Sequence, residues 1–373
     1  MTRQQRLSRS LLSVLLLVYA ALAVWYSVTI PLGEAPDEVP HFTYVRYLAQ
    51  YGHLPTTEEE HEAFQPPLYY AAGAALTHWI PDEPASAFAV RTNADFDVED
   101  ARAPKNLLLH SAEEAWPYRG WALAWHLVRL LSIALGAITV WAVYRLGSVL
   151  FPARAAVSLT MAALTAFTPQ FLFMSAVANN DNAAVAFSAL VLWQSAAFLH
   201  EKDCSQLWKR SLILGLLLGL GLLSKASLIA LLPVAGLAVL VAVCRCQASS
   251  TARRLRLAVI SLLLTFGLAA LLSAWYFLRN LALFGDPLGW SFLLKINALR
   301  EGPLTPGVLA WLARGVFRSF WLGWIGIEFD GWIYWLIGVL CLVGPGGFVA
   351  WLVRRWRVMG GATRWTLILL GVH

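Results

Sequence analysis

Apolar residues in this chain occur in long uninterrupted runs and not in the alternating patterns of a soluble domain. Most runs approach the ~20 residues that cross a bilayer as a helix. They predict an all-α polytopic membrane protein with about eight or nine transmembrane helices. The predicted spans are 11–30, 121–148, 155–176, 183–199, 211–223, 226–244, 255–277 and 331–352, with a short run from Trp365 to Val372 after them.

The composition of the chain supports this class of protein. Of its 373 residues, 59% are hydrophobic and 13% are charged, and the mean hydropathy is +0.61. One soluble core cannot bury so large an apolar share. The 18 Trp side chains suit helix ends at the lipid headgroups, where an apolar ring with one N–H donor is stable.

The basic residues indicate the orientation of the chain. Under this assignment they cluster in short loops on one side, which holds only Glu201 and Asp203 of the 22 acids. Positively charged loops stay in the cytoplasm, so a cytoplasmic N-terminus is expected. The net charge of +6 is then an orientation signal and not a nucleic-acid site. The cluster comprises Arg3, Arg6, Arg9, Arg145, Arg154, Lys202, Lys209, Arg210, Arg245, Arg253, Arg254, Arg256, Arg354, Arg355, Arg357 and Arg364.

The four cysteines carry no signal for a disulfide or a metal. Cys204, Cys244 and Cys246 fall in or beside predicted cytoplasmic loops, and Cys341 lies in a span. Because none lies in an external segment, no disulfide framework is expected. The spacing of Cys244 and Cys246 is wrong for a zinc knuckle, so ordinary thiols are expected.

Two long segments, 31–118 and 279–328, are predicted to lie outside the membrane within one transmembrane domain that spans 1–373. Residues 81–118 are rich in Asp, Glu, Ala and Pro, and we expect them to form a mobile loop. The final apolar run is too short to cross a bilayer. It leaves open whether the last helix is a stub or the chain is truncated.

The first external segment is predicted to contain two interfacial helices. Asp37 is placed to cap a helix that ends near Tyr51 and lies along the membrane surface. A second helix is expected to begin at Pro66-Pro67 and to remain interfacial over 66–80, because 15 residues are few for a crossing.

Asp37-Glu38, directly after the first span, is the strongest candidate for chemistry. At a helix N-terminus the macrodipole favours an ionised carboxylate, which makes Asp37 a weak base but a good metal ligand or hydrogen-bond acceptor. The simpler interpretation is a solvated helix cap. His41, one turn later, could orient Asp37 or bind a metal, or could lie on the polar face of the helix.

Three further groups stand at the same predicted membrane edge. Asn180-Asp181 either turns the chain and caps a helix or supplies a second carboxylate. Lys225 lies at the tip of a hairpin whose first arm is short, so it either binds a lipid phosphate or snorkels to the headgroups. Arg279-Asn280 either binds phosphate through the guanidinium fork or anchors a helix end.

The sequence contains no Walker loop, dinucleotide fingerprint, zinc-protease motif or serine nucleophile elbow. Gly215, Gly219 and Gly221 form a ridge of small residues, which is more typical of helix packing than of a phosphate loop.

Taken together, these motifs resemble the polytopic lipid-dependent glycosyltransferases of the GT-C class. This class includes protein O-mannosyltransferases, aminoarabinose transferases of lipid A and a related bacterial membrane family of mostly unassigned function. The resemblance covers about 30–290, while the acidic loop and the early C-terminus depart from the usual pattern. The matching motifs are Ala35-Pro36-Asp37-Glu38 with His41-Phe42, Gln65-Pro66-Pro67-Leu68-Tyr69-Tyr70, Pro169-Gln170 with Asn180-Asp181, Ser224-Lys225, and Trp275 with Arg279-Asn280 and Gly285-Asp286-Pro287.

The resemblance implies a GT-C-like fold and an inverting transfer of a sugar from a polyprenyl-phosphate donor to an extracytoplasmic glycan, lipid or protein acceptor. It implies a bacterial inner membrane, with Asp37 acting on the acceptor hydroxyl and Glu38 supporting it. Lys225 and Arg279 would neutralise the leaving phosphate. The remaining residues of the expected substrate site are His41, Gln65, Tyr69, Asn180, Asp181 and Asn280.

No cofactor is demanded by the sequence. A divalent metal ion is left open, with Asp37, His41 and Asp181 as its candidate ligands. Two other functions also remain open. One is a transporter or flippase for a lipid-linked or anionic envelope substrate, although no inverted repeat is visible. The other is an inactive scaffold in an envelope-assembly complex.

Overall fold

The fold is known from a computed structural model. It describes residues 3–56, 59–81, 91–97, 102–246, 250–296, 302–321 and 329–372. Within these ranges the chain contains helices and no β-strand, apart from one isolated antiparallel bridge between Thr92 and Leu108. The prediction of an all-α protein is confirmed.

Seven α-helices lie in the described part of the first half of the chain. They are α1 (Arg3–Thr29), α2 (Glu38–Tyr51), α3 (Leu68–Thr77), α4 (Gly120–Leu150), α5 (Ala155–Ala166), α6 (Pro169–Ser175) and α7 (Asp181–Leu199). Two short helices of the external segment, α2 and α3, lie between the long helices α1 and α4, and two further short helices precede α7.

Seven more α-helices follow in the described part of the second half. Short 3-10 turns at Cys204–Gln206 and Ala226–Ala230 flank the first of them. They are α8 (Leu207–Leu222), α9 (Leu231–Arg245), α10 (Thr251–Phe284), α11 (Trp290–Ile296), α12 (Pro306–Trp321), α13 (Gly331–Arg355) and α14 (Gly361–Val372).

Six helices in the described residues are long and apolar enough to cross a membrane, or seven if α5 and α6 form one broken span. At 16 residues, α8 is short for a full crossing. The exact number of spans predicted from the sequence therefore stays a prediction.

The prediction of one continuous span at 155–176 is wrong, because this segment forms two helices. Helices α5 and α6 meet at a bend of 64°. Thr168 has an extended backbone (φ −66°, ψ 120°), as expected for a residue directly before a proline. Pro169 then begins α6, so the sequence Thr168-Pro169 breaks the span.

Helix α4 lies at the centre of the first half and packs against α1, α3, α5 and α7. In the second half, α8 packs closely along α10 through its small residues. A Cβ atom added to Gly215 would lie 2.5 Å from the carbonyl oxygen of Thr265, and one on Gly219 would lie 2.9 Å from Cβ of Leu272. The glycine ridge therefore serves helix packing.

Both helices predicted for the first external segment are present as α2 and α3, and their interfacial location stays a prediction. The mobile loop predicted at 81–118 is wrong for its second half, because Glu34 fastens that part of the chain. The carboxylate of Glu34 accepts hydrogen bonds from the amides of Leu107 (2.8 Å) and Leu108 (2.9 Å) and lies 3.0 Å from Nε2 of His110. Residues 82–90 and 98–101 of this prediction lie outside the described residues.

The expectation that no disulfide forms is also wrong. Cys204 and Cys246 form a disulfide that joins the 3-10 turn before α8 to the end of α9, with their Cα atoms 5.5 Å apart. The two residues are separated by 42 positions in the sequence, which no spacing rule connects. Cys244 and Cys341 are free thiols.

Candidate active site

Asp37 stands at the turn between the first span and α2. Its backbone lies in the left-handed region (φ 55°), where Asp is tolerated better than most residues. The side chain is exposed and accepts no hydrogen bond from the first turn of α2. The predicted N-cap position is thus confirmed, but the carboxylate remains available to a ligand. A backbone outlier of this kind is often found where function requires it.

Glu38, the neighbour of Asp37, points into the protein and forms an ion pair with Arg129 of α4. Both side chains have 0% exposure. Nε and Nη2 of Arg129 each donate a hydrogen bond of 2.7 Å to one oxygen of Glu38. The backbone amides of Gly33 (3.1 Å) and Ala178 (2.8 Å) donate to the same carboxylate. Glu38 is therefore placed to position the turn and not to contact a substrate.

Arg129 also holds the end of the first span. Its Nη1 donates to the carbonyl oxygens of Ser27 (2.6 Å) and Ile30 (2.7 Å), and its Nη2 donates to that of Pro31 (3.1 Å). All parts of the guanidinium fork are occupied by acceptors, which offsets the cost of burying the charge. Sequence reasoning missed Arg129, although a charged residue within an apolar span is itself a signal.

Lys225 and Asp181 form an ion pair at the tip of the helical hairpin. Asp181 is the first residue of α7, and Lys225 precedes the 3-10 turn Ala226–Ala230. The side chain of Asp181 is 47% exposed and that of Lys225 is 27% exposed, so both remain accessible to a ligand. Because the ammonium of Lys225 has a carboxylate partner, the interpretation that Lys225 only snorkels to the headgroups does not fit the structure.

His41 is buried (4% exposed) and lies within hydrogen-bond distance of Tyr70, with 2.8 Å between Nδ1 and Oη. Burial, followed by the charge of Lys225, lowers the pKa of His41 to about 3. The imidazole is therefore neutral at ordinary pH. The interpretation of His41 as a solvated polar-face residue is wrong. The charges of Lys225 and Asp181 both act on His41, which places α2 within electrostatic range of the hairpin tip.

Gln65 and Asn180 connect the start of α3 to the start of α7. Nδ2 of Asn180 donates to Oε1 of Gln65 (3.3 Å) and to the carbonyl oxygen of Ser224 (3.4 Å). Tyr69 lies inside the protein at 2% exposure, where its hydroxyl is 2.8 Å from that of Ser132. Gln65 is half-buried and borders the site, whereas Tyr69 and Asn180 support it from within.

Arg279 does not occupy the place expected of a phosphate ligand. Its Nη1 donates to the carbonyl oxygen of Ala63 (3.4 Å), and its Nη2 donates to that of Pro55. Asn280 is buried and donates to the carbonyl oxygen of Phe64 (3.2 Å). Both residues therefore fasten the segment before α3, and two of the three guanidinium nitrogens of Arg279 donate to its backbone carbonyls.

Glu62 is a second acidic group that sequence reasoning missed. It is 7% exposed, and its Oε2 has no hydrogen-bond partner among the described residues. Burial raises the pKa of Glu62, and the nearby charge of Asp37 raises it further. In the sequence, Glu62 ends an acidic stretch that would be taken for a solvated surface. Only the fold brings it within range of the charge of Asp37.

A cavity of about 450 Å³ adjoins Asp181, a size typical of small-molecule sites. Its wall is formed by α4, α5, α6 and α7 and by Phe320 of α12. The polar lining consists of Thr139, Thr165, Thr168, Gln170, Asp181 and Asn182. The break between α5 and α6 contributes Thr168, so the bent span helps to form this space.

The three candidate metal ligands do not form a metal centre in the described part of the chain. No group of three or more His, Cys, Asp or Glu residues in these ranges is arranged to hold a metal ion. His41 faces Tyr70, and Asp181 faces Lys225. His41 and Asp181 thus each have a separate partner, and Asp37 is exposed without a cap hydrogen bond.

Residues 124–294 match the model of a family described as dolichyl-phosphate-mannose-protein mannosyltransferase. No curated protein and no solved structure matches the chain. The matched segment begins in α4, close to Arg129, and ends in α11, so it contains Asp181 and Lys225. This match confirms that the chain resembles the GT-C class of polytopic membrane glycosyltransferases.

Proposed function

We propose that this protein transfers a sugar from a polyprenyl-phosphate donor to an acceptor hydroxyl on the extracytoplasmic face of the membrane. The observation that carries the proposal is the exposed carboxylate of Asp37, held by the buried Glu38–Arg129 pair near Glu62. The family match supports a GT-C type transferase, and the lipid-linked donor is what that family implies.

The proposed step is a single displacement at the anomeric carbon of the sugar. The acceptor oxygen forms a bond to this carbon while the bond to the phosphate oxygen breaks, and the phosphate keeps the bonding electrons. The hydroxyl proton passes to Asp37. A weak base suffices, because a lipid phosphate is already a good leaving group. In-line attack inverts the configuration at the anomeric carbon.

Lys225 is proposed to stabilise the negative charge that develops on the phosphate. Its ammonium has three N–H donors, of which the ion pair with Asp181 needs only one. Asp181 holds the lysine in place, and its remaining oxygen can accept a hydrogen bond from a sugar hydroxyl. The cavity beside Asp181 is mostly apolar but carries Thr, Gln and Asn side chains next to the carboxylate, and it offers space for part of the donor. Fixed charges of this kind lower the barrier when aimed at the developing charge.

The proposed sidedness rests on the distribution of charge along the chain. The basic loops predict a cytoplasmic N-terminus, and α1 then carries the chain outward to Asp37. We infer a bacterial inner membrane from the families that the motifs resemble. Cysteine accessibility in intact cells tests this orientation, with single cysteines introduced at Glu113 and at Arg253.

The function is tested with the purified full-length protein in detergent and a panel of polyprenyl-phosphate sugars. We expect release of polyprenyl phosphate with one class of sugar, together with a glycosylated acceptor. A parallel arm measures movement of the same lipids across sealed vesicles. Lipid movement without any sugar transfer would overturn the transferase in favour of a flippase.

A further inference from the structure

A second cavity, with a polar lining, lies at the opposite end of α1 and α4 from Asp37. It has a volume of about 470 Å³. Arg9 precedes Thr29 by 20 residues along α1, which corresponds to about 30 Å of helix and so to the thickness of the hydrocarbon core. The cavity is lined by Ser8, Arg9, Tyr144, Arg145, Ser148, Phe151, Pro152, Ala153, Ala155 and Ser158.

The charge of this cavity is positive. Arg9 and Arg145 line it, and no acidic side chain does so among the described residues. Arg145 is held in place by two aromatic rings, with its guanidinium carbon 4.7 Å from the ring centroid of Trp193 and 5.5 Å from that of Trp141. A cation fixed by such stacking loses little freedom when it binds an anion.

Donors for an oxygen-rich ligand line the same cavity. Ser158 is 1% exposed, and its hydroxyl has no hydrogen-bond partner among the described residues. Ser158 lies where α5 approaches α4 closely, since a Cβ atom on Gly147 would be 2.9 Å from its Cα atom. The hydroxyls of Ser8 and Tyr144 lie 2.7 Å apart on the opposite wall. The N-terminus of the 12-residue helix α5 also favours an anion here.

The surroundings of the cavity are apolar and exposed. Leu7 and Leu11 on α1 are 60% and 47% exposed, and Leu164 on α5 is 68% exposed. Such side chains suit contact with lipid acyl chains. We propose that this cavity binds the phosphate of an anionic phospholipid headgroup, with the acyl chains lying along α1 and α5. This site is separate from the proposed transfer reaction.

Binding of short-chain phosphatidic acid to the full-length protein in detergent tests the site, with native mass spectrometry as readout. The Arg9→Gln/Arg145→Gln double variant should bind it at least about tenfold more weakly, because charge-assisted hydrogen bonds are lost. Ser158→Ala removes one oxygen without disturbing the packing and should weaken binding severalfold. Arg253→Gln/Arg254→Gln is the matched control, since both residues are exposed and lie outside the cavity.

The control should bind phosphatidic acid like the parent, and inorganic phosphate at the same concentration should not displace the lipid. Equal weakening in the control would show that binding follows surface charge alone and would overturn the site. Displacement by inorganic phosphate as effective as by lipid would overturn the phospholipid as its occupant. Unchanged binding in both cavity variants would also contradict the proposal.

Discussion

Arg129 donates hydrogen bonds of 2.7 Å to both carboxylate oxygens of Glu38, and neither side chain is exposed. This pair joins the first third of α4 to the first residue of α2. Because the same arginine also binds the carbonyls at the end of α1, the turn that carries Asp37 is held from two sides. Of the two adjacent acids, Glu38 thus has a structural role, and Asp37 remains open to a ligand.

Breaking this pair from one side should destabilise the protein strongly. Arg129→Met leaves the Glu38 carboxylate buried without its partner, a change that typically costs about 3–5 kcal/mol. We expect a clear fall in the thermal unfolding temperature of the detergent-solubilised protein. Arg119→Gln, an exposed change just before the same helix, serves as the control. Equal unfolding temperatures for both variants would contradict the role given to Arg129.

Lys225→Met should reduce transfer by about 10²–10³-fold in kcat, the usual range for loss of one group that stabilises transition-state charge. Asp181→Asn should have a smaller effect, because the lysine remains. The measurement is steady-state kinetics with the active donor. Lys209→Met, at an exposed position on α8, controls for loss of charge. A Lys225 variant with unchanged kcat would remove this residue from the mechanism.

Glu60 should make the stability of the protein dependent on pH. Burial raises the pKa of Glu60 from 4.5 to about 7, with the hydroxyl of Thr43 opposing the shift. A carboxyl whose pKa is higher in the folded state stabilises that state below its unfolded pKa. This stabilisation is lost as the pH rises through the folded pKa. Stability should therefore fall between pH 4.5 and about pH 7.

Glu60→Gln should flatten this pH dependence, because the amide does not titrate. Unfolding temperatures measured across the same pH range provide the test. Glu59→Gln is the matched control, since Glu59 lies next in the sequence and is exposed. If Glu60→Gln keeps the slope of the parent protein, the titrating group lies elsewhere.

The Cys204–Cys246 disulfide should stabilise the region around α8 and α9. A link across 42 residues contributes about 3–4 kcal/mol by loop closure in the unfolded chain. The protein purified in air should react with maleimide at exposed Cys244, and after denaturation it should show two further reactive thiols only if it has been reduced, since Cys246 is 1% exposed in the fold. Cys246→Ser should lower the unfolding temperature, with Cys244→Ser as control. Full labelling of Cys204 before reduction would contradict the bond.

The apolar runs were sufficient to predict the long helices, because a bilayer imposes a minimum length on every span. They also placed Lys225 at a hairpin tip and Asp37 before α2, since the polar residues there interrupt two apolar helices. The break at Thr168 escaped prediction, although Pro169 supplied a local reason for it. Local rules of chain geometry thus account for the long helices, whereas α11, α12 and the continuation of α10 to Phe284 were not predicted.

The partners of individual side chains could not be predicted in the same way. The Glu38–Arg129 pair spans 91 positions, and the contacts of Arg279 with the external segment span more than 200. An arginine at a helix end has the same local sequence whether it faces a phosphate or a carbonyl oxygen. Only the packing of α10 against the external segment decides between them.

The central claim is that Asp37 accepts the proton of the acceptor hydroxyl. Its most direct test is donor consumption by purified Asp37→Asn compared with the parent protein and with Asp330→Asn, an exposed Asp-to-Asn change before α13. We expect loss of transfer in Asp37→Asn with an unchanged unfolding temperature, and full transfer in the Asp330 control. Transfer at the parental rate in folded Asp37→Asn would contradict this claim.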